Sequence, residues 1–222
     1  MGKWKLGLWI NLVILVSMVG FSIYLISVLP ADTAVPIHWN ALGEVDGYAS
    51  PLFSFLVMPV VVILTSALIL IIPTLEKRKE NLAQSFGLLQ VTWVATTTLL
   101  AVIHFGLGLI AMGVAVPMMK LVFCSVGLLF AVVGNLFGKA RSNHHLGFRT
   151  PWTLSSDAVW DKTHRLAGRL WVAGGLLVAA IGLTVQGIVP TIIMILIMTV
   201  VSVVPLVASY LYSKREQSGA NA

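Results

Sequence analysis

The sequence predicts an all-α polytopic membrane protein. It has six transmembrane helices, N- and C-termini on the cytoplasmic side, and an amphipathic interfacial helix between helices four and five. Three observations predict this. First, Asp, Glu, Lys and Arg are absent from residues 6–31, 47–75, 81–119, 121–138 and 170–213. A spanning helix needs about 20 mostly apolar residues, and a charge at its centre costs about 2.5–3.5 kcal/mol. Second, 58% of residues are hydrophobic and only 10% charged, with mean hydropathy +0.97, against roughly 25% charged in soluble domains. Third, lysine and arginine fall almost wholly on alternate connections. Helices follow from the lipid itself, because a helix satisfies its own backbone there.

The elements can be taken in order. Helix one covers 7–29. Lys3 and Lys5 ahead of it give the start of the chain the look of a signal peptide. The apolar run is longer than the roughly 7–15 residues of such a peptide's core, so the reading is a retained helix. Residues 30–51, PADTAVPIHWNALGEVDGYASP, carry Asp32, Glu44 and Asp46 and no Lys or Arg. Pro36 favours an extended start and Asp46-Gly47 signals a turn, so a short hairpin lid is expected here. Helix two covers 52–72. The 81–119 run would be about 58 Å long as one helix, twice the hydrocarbon thickness. It must break, and Gly113 and Pro117 beside Lys120 are the place, giving helices 88–111 and 119–137. Gln186, Gly187 and Pro190 divide the last run into 169–186 and 190–212. The expected units are a two-helix unit 1–75, a linker with helix three 76–114, a signature region 115–190, and a final helix with tail 191–222.

With the N-terminus inside, thirteen of the fourteen Lys and Arg residues lie on the cytoplasmic side and only Lys120 lies outside. That asymmetry fixes orientation. The net charge of +6 is therefore a topology signal. It calls for membrane lipids as partners, acidic headgroups above all, and for no direct nucleic-acid contact. Cys124 is the sole cysteine, which excludes an intrachain disulfide and a cysteine-rich metal site. It reads as small apolar filler.

Residues 138–168, GKARSNHHLGFRTPWTLSSDAVWDKTHRLAG, hold three of the five histidines, two tryptophans and several cations. That is more than a connection between helices needs. Val159, Trp160, Thr163, Leu166, Ala167 and Leu170 recur at helical spacing. Ser155 is the expected N-cap and Asp157 sits in the first turn. Asp161 and Arg165 are spaced to pair. The bland reading of this stretch is an elbow helix with no ligand. Ahead of it, Gly147 permits close approach of backbone and Pro151 keeps Thr150 out of helix. Phe148 and Trp152 suit the headgroup level. Arg149 beside these aromatics fits a lipid phosphate, a partner carboxylate or its own helix ends equally well.

His144, His145 and His164 with Asp157 and Asp161 invite a zinc reading. Adjacent histidines diverge in an extended segment, and there is no HExxH and no cysteine ligand, so no metal is expected. His38, Glu44 and Asp46 outside are read the same way. No nucleophile–base arrangement can be placed. His104 and Asn135 are the polar residues inside the membrane. His104 is a functional candidate by depth; the structural reading is a neutral imidazole bonded to a neighbouring helix, near Thr96–Thr98 or Asn11. Gly134-x-x-x-Gly138 permits close helix packing.

Several of these residues form an ordered pattern. It runs Gly134-Asn135, Lys139, Arg141, Asn143, then Gly147-Phe148-Arg149-Thr150-Pro151-Trp152-Thr153-Leu154, then Trp160, Thr163-His164-Arg165 and Gly168. This resembles the signature of the SdpI family of bacterial immunity proteins, over roughly residues 115–190. His144-His145 stands where aromatic residues are common in that family. Pro36, His38-Trp39, Gly43 and Asp46-Gly47-Tyr48 resemble the uncharacterised membrane domain often found N-terminal to it. The resemblance implies a six-helix protein of the bacterial cytoplasmic membrane. It implies protection against a secreted antimicrobial toxin peptide, and signalling in which a transcriptional repressor is drawn to the membrane. It names no catalytic residue and no cofactor.

The expected function is thus a non-enzymatic immunity and signal-transduction protein. Its partner- or lipid-binding residues would be Asn143, Gly147, Arg149, Thr150, Pro151, Trp152, Trp160, Thr163, His164 and Arg165. The toxin would meet His38, Trp39, Glu44, Asp46 and Tyr48 outside. A small transporter using His104, Asn11, Gln90 and Asn135 is the alternative. A membrane enzyme with a metal at His144, Asp157, Asp161 and His164 is the second.

Overall fold

The computed structural model describes residues 4–220; Lys3, counted above among the cations, lies outside the described residues. The chain forms α1 (Lys5–Val28), the strands β1 (Val35–Trp39) and β2 (Val45–Ala49), α2 (Pro51–Leu75), α3 (Lys79–Gln84), α4 (Phe86–Ala111), α5 (Met118–Phe137), α6 (Pro151–Ser155), α7 (Asp157–Thr184) and α8 (Val189–Ala220). Six helices, α1, α2, α4, α5, α7 and α8, are long and apolar enough to cross a membrane. Their outer faces are lined by exposed leucine, valine and isoleucine, as lipid-facing surface should be. One end of the bundle carries the hairpin and Lys120. The other, the basic end, carries nearly all the remaining cations.

Residues 112–117 break the long third run as expected, with Pro117 as the N-cap residue of α5. Pro51 opens α2 at its first position, where a missing N–H costs nothing. Residues 35–49 form an antiparallel hairpin. Its turn lies at Asn40–Glu44, not at Asp46-Gly47. The Asn40 side-chain oxygen accepts the N–H groups of Leu42 and Glu44, a turn-forming bond that Asn supplies well. Gly47 is instead paired with His38 across an irregular register.

The amphipathic stretch also departs from expectation. It is not a separate helix lying along the interface but the first turns of α7, which is continuous from Asp157 to Thr184. The reason is burial: Val159, Trp160, Thr163 and Ala167 are all within 1% of full burial. They continue the same packed face that α7 presents deeper in the membrane. Ser156, not Ser155, is the cap, accepting the Val159 N–H at 3.2 Å. Asp161 pairs with Arg141 at 3.8 Å rather than with Arg165.

The tightest helix pair is α5 with α7, and glycines spaced seven apart set it. Gly127 and Gly134 on α5 face Gly168, Gly175 and Gly182 on α7. A Cβ on Gly127 would lie 2.4 Å from the Gly175 carbonyl oxygen, and one on Gly182 would lie 2.2 Å from the Phe123 Cβ. Lipid gives no hydrophobic drive between helices, so backbone approach and dispersion carry the association. Gly138, which pairs with Gly134 in the sequence pattern, lies outside this seam; a Cβ there would only touch the Arg165 side chain at 3.7 Å.

Candidate functional site

At the basic end the loop 138–150 is fixed by a corner that links α2 to α4. Glu76 terminates α2. A carboxylate at a helix C-terminus is disfavoured by the macrodipole, so it needs donors. It has four. The Nδ1 atoms of His144 and His145 donate to Oε1 and Oε2 at 2.8 and 2.7 Å. The His144 and Arg78 backbone N–H groups donate at 2.8 and 2.7 Å. The Glu76 side chain is fully buried under them. Burial by itself pushes its carboxyl up; the hydrogen bonds from His144, Arg78 and His145 outweigh that and hold it at about 2, below the usual 4.5. The adjacent histidines thus converge, contrary to expectation, because the loop curls around one shared acceptor.

Neighbouring residues extend the lock. The Arg78 guanidinium donates to the Ser142 hydroxyl and, at 2.8 Å, to the Leu154 carbonyl. Asn81 donates to the Ser142 carbonyl at 2.7 Å. Ser85 accepts the Arg141 N–H at 2.8 Å. Within the loop, the Asn143 side-chain oxygen accepts the N–H groups of His145 and Leu146.

The Gly147–Thr153 signature has a plain structural chemistry. His164 is buried and stacks on Trp160 with ring centroids 3.9 Å apart. Its Nδ1 donates to the Trp160 carbonyl at 2.9 Å and its Nε2 accepts the Phe148 N–H at 3.0 Å. Only the neutral tautomer with hydrogen on Nδ1 makes both bonds. Gly147 lies against the Nε2 side of that ring: its φ is +90°, and a Cβ would sit 2.2 Å from His164 Nε2. Thr150 then caps α6, bonding reciprocally with Thr153. The Thr153 hydroxyl also donates to the Phe148 carbonyl at 2.8 Å. Pro151 fills the first helical position. Trp160 Nε1 donates to the Ala140 carbonyl at 2.8 Å.

Of the basic-end residues singled out from sequence, Asn143, Thr150, Trp160, Thr163 and His164 are buried; the side chains of Asn143, Thr150, Trp160 and His164 hold the loop, while the Thr163 hydroxyl has no hydrogen-bond partner among the described residues. Gly147 is half-buried against His164. Arg149, Pro151 and Arg165 are exposed. Arg149 donates to the His144 carbonyl at 2.7 Å, and Trp152 packs edge-on against Tyr210. The residues proposed for a metal are not brought together: His164 is internal, His144 is on Glu76, and Asp161 is on Arg141. Among the described residues no group of three His, Cys, Asp or Glu side chains is arranged to hold a metal ion.

At the other end the hairpin covers a cleft of about 330 Å³ lined by Trp39, Met118, Lys120, Phe123, Gln186 and Pro190, among others. Thr191 donates to the Ala41 carbonyl at 3.1 Å, tying the hairpin to the start of α8. Val35 is fully buried and packs with Leu25, Phe55 and Leu107. His38 Nδ1 and Asp46 lie 2.5 Å apart on the exposed face, and Asn40 donates to Glu44 at 2.9 Å. Tyr48 is exposed. Of the five hairpin residues singled out, Trp39 is the one that lines the cleft.

Inside the membrane His104 is fully buried. Its Nε2 meets the Ser22 hydroxyl at 3.2 Å and the Met18 carbonyl at 3.3 Å, and Phe21, Phe55 and Phe105 surround the ring. Its partners are on α1, neither Thr96–Thr98 nor Asn11. Asn11 donates to the Gly7 carbonyl. Asn135 is exposed on α5 at the basic end, away from His104, so the two do not form one polar path.

Sequence reasoning missed Glu76, Arg78, Asn81 and Ser85. One signal was available: an acid at the end of a helix, ahead of three consecutive cations, where the dipole disfavours it.

Comparison with known proteins agrees with this architecture. Residues 139–209 match the SdpI/YfhL protein family, and residues 13–63 match a domain of unknown function, DUF1648. The chain is 29% identical over 194 residues to "Immunity protein SdpI" of Bacillus subtilis (strain 168), covering 87% of this chain and 89% of that protein. No solved structure matches. The matched segment begins at the α5–α6 loop and ends on α8, so it holds the Gly147–Thr153 lock and its buried His164. This is a multi-pass protein of the bacterial cytoplasmic membrane, and its C-terminal third is similar to the SdpI/YfhL protein family.

Proposed function

We propose that this chain is a membrane immunity protein without catalytic activity, protecting its cell from a secreted antimicrobial toxin peptide. The observation that carries this is the likeness, over nearly nine-tenths of both chains, to an immunity protein. In this reading the basic end faces the cytoplasm, which the segregation of Lys and Arg supports, and the hairpin faces outward. The toxin meets the hairpin end, with Trp39 and Lys120 in the cleft as its contacts. That chemistry suits an amphipathic peptide: an aromatic and methionine-rich wall for its apolar side and one ammonium for a carboxylate. His38, Glu44, Asp46 and Tyr48 form the outer rim.

At the basic end, Arg149 and Trp152 lie beside the lock that holds loop 138–150, and a cytoplasmic transcriptional repressor docks there when toxin is bound. The units 1–75 and 115–190 then divide the labour, the first sensing outside and the second holding the inner platform.

The test is survival of a toxin-sensitive Bacillus strain expressing the chain. Wild type protects. Trp39→Ala and Lys120→Glu lose protection while remaining in the membrane fraction; Arg149→Ala and Trp152→Ala retain protection but lose repressor recruitment. Full sensitivity in cells making wild type rejects the immunity reading. Labelling of a C-terminal tag from outside intact cells rejects the orientation.

A further inference from the structure

The close approach of α5 and α7 leaves a groove of about 550 Å³ at the basic end, lined by Asn135 of α5, by Gly138 at its C-cap, and by Arg165, Arg169, Val172 and Leu176 of α7. No side chain fills its floor, because Gly134 and Gly168 meet there; a Cβ on Gly168 would lie 2.7 Å from the Gly134 carbonyl oxygen. Arg165 and Arg169 stand one turn apart on one helix face, both exposed. Neither makes a hydrogen bond or ion pair among the described residues, whereas Arg78, Arg141 and Arg149 are all engaged. Asn135 is likewise unpartnered and exposed.

Depth decides what these cations meet. The uncharged part of α7 runs from 170 to 184, about 22 Å of helix, which is shorter than a hydrocarbon core of about 30 Å. Arg169 therefore lies at the edge of the hydrocarbon, where an uncompensated guanidinium is costly. The acids on the same helix do not compensate it: Asp161 is committed to Arg141, and Asp157 is three turns away at the start of α7. The anion must come from the membrane. Two guanidinium groups offer paired donors that match phosphate oxygens. Val172 and Leu176 continue the groove inward, as an acyl chain would run.

We propose that this groove binds one anionic phospholipid of the leaflet at the basic end. Its phosphate lies between Arg165 and Arg169, the Asn135 amide donates to it, and one acyl chain follows Val172 and Leu176. The site is separate from the hairpin cleft and does not depend on the immunity reading.

Native mass spectrometry of the purified full chain, with phosphatidylglycerol or phosphatidylcholine added, tests this. Wild type should retain phosphatidylglycerol about tenfold better, because both lipids carry the phosphate but the choline ammonium of phosphatidylcholine opposes the two guanidinium groups. Arg165→Gln/Arg169→Gln should lose that preference. Lys77→Gln/Lys162→Gln, which removes the same charge from the same end, should keep it. Gly138→Leu should abolish retention with no change of charge, since its Cβ enters the groove at ordinary contact distance; it carries the test if the arginine variant does not fold. Equal retention of both lipids by wild type overturns the proposal. So does an equal loss in the lysine variant, or full retention by Gly138→Leu. If a hexaglutamate peptide is retained in an arginine-dependent way and phosphatidylglycerol is not, the groove is a protein-docking site and the lipid assignment falls.

Discussion

Replacing Glu76 by Gln should release the loop 138–150 while leaving the six-helix bundle intact. Glu76 is the acceptor for four donors, and their hydrogen bonds hold its carboxyl at about 2, below the ordinary 4.5, so the charged, bonded state is favoured. Gln keeps the shape but offers one oxygen acceptor where the carboxylate offered two. The NH₂ group then faces a histidine ring, which can shift its proton, and a backbone N–H, that of His144 or Arg78, which cannot, so a buried donor is left opposed to another donor. The loop should open about a hundredfold more often. The assay is amide hydrogen exchange on the purified protein, read at His144, whose N–H bonds to Glu76, and at Leu146, whose N–H bonds to Asn143. Both should lose about two decades of protection, with no change in the α5–α7 seam. The same bond sets a pH dependence. The folded value of about 2 lies below the ordinary 4.5, so the stabilisation is complete above about pH 4.5. It is lost as pH falls toward 2. The partners facing Glu76 are His144, His145 and Arg78. Unchanged protection in Glu76→Gln would refute the view that this carboxylate holds the loop, as would loosening on going from pH 5 to 7.

Two further substitutions probe the fold. Gly147→Ala places a Cβ 2.2 Å from His164 Nε2 at a φ of +90°, which should break the Phe148–His164 bond and destabilise the protein by at least about 2 kcal/mol; thermal unfolding in detergent measures it, and an unchanged midpoint would contradict the packing described. Gly127→Val should be worse, because the Gly175 carbonyl and the Ala179 backbone nitrogen stand 2.4 and 2.6 Å from its Cβ and two helices must separate. Little folded protein should be recovered by size-exclusion chromatography, and a normal monodisperse yield would rule out the glycine seam.

The membrane class, six spans and their approximate boundaries were determined by the sequence alone. The reason is that lipid imposes a one-dimensional rule: an uninterrupted apolar run of sufficient length is a spanning helix. Gly113 with Pro117, and Gly187 with Pro190, broke the long runs because those residues act locally. The hairpin was legible for the same reason, though its turn followed the Asn40 side chain rather than the Asp46-Gly47 pair.

The tertiary structure alone decided what the Gly147–Thr153 signature does. Composition made residues 138–168 look like a docking surface. Burial turned Trp160, Thr163 and His164 inward, leaving Arg149 and Arg165 outside. Glu76 and the histidine pair are 68 residues apart in the chain, and no local pattern joins them; only the packing of the α2 corner against the loop does. The α5–α7 groove has the same origin. Its glycines and arginines lie on two helices separated by a loop, and their meaning depends on an antiparallel register that side-chain volume, not sequence periodicity, sets.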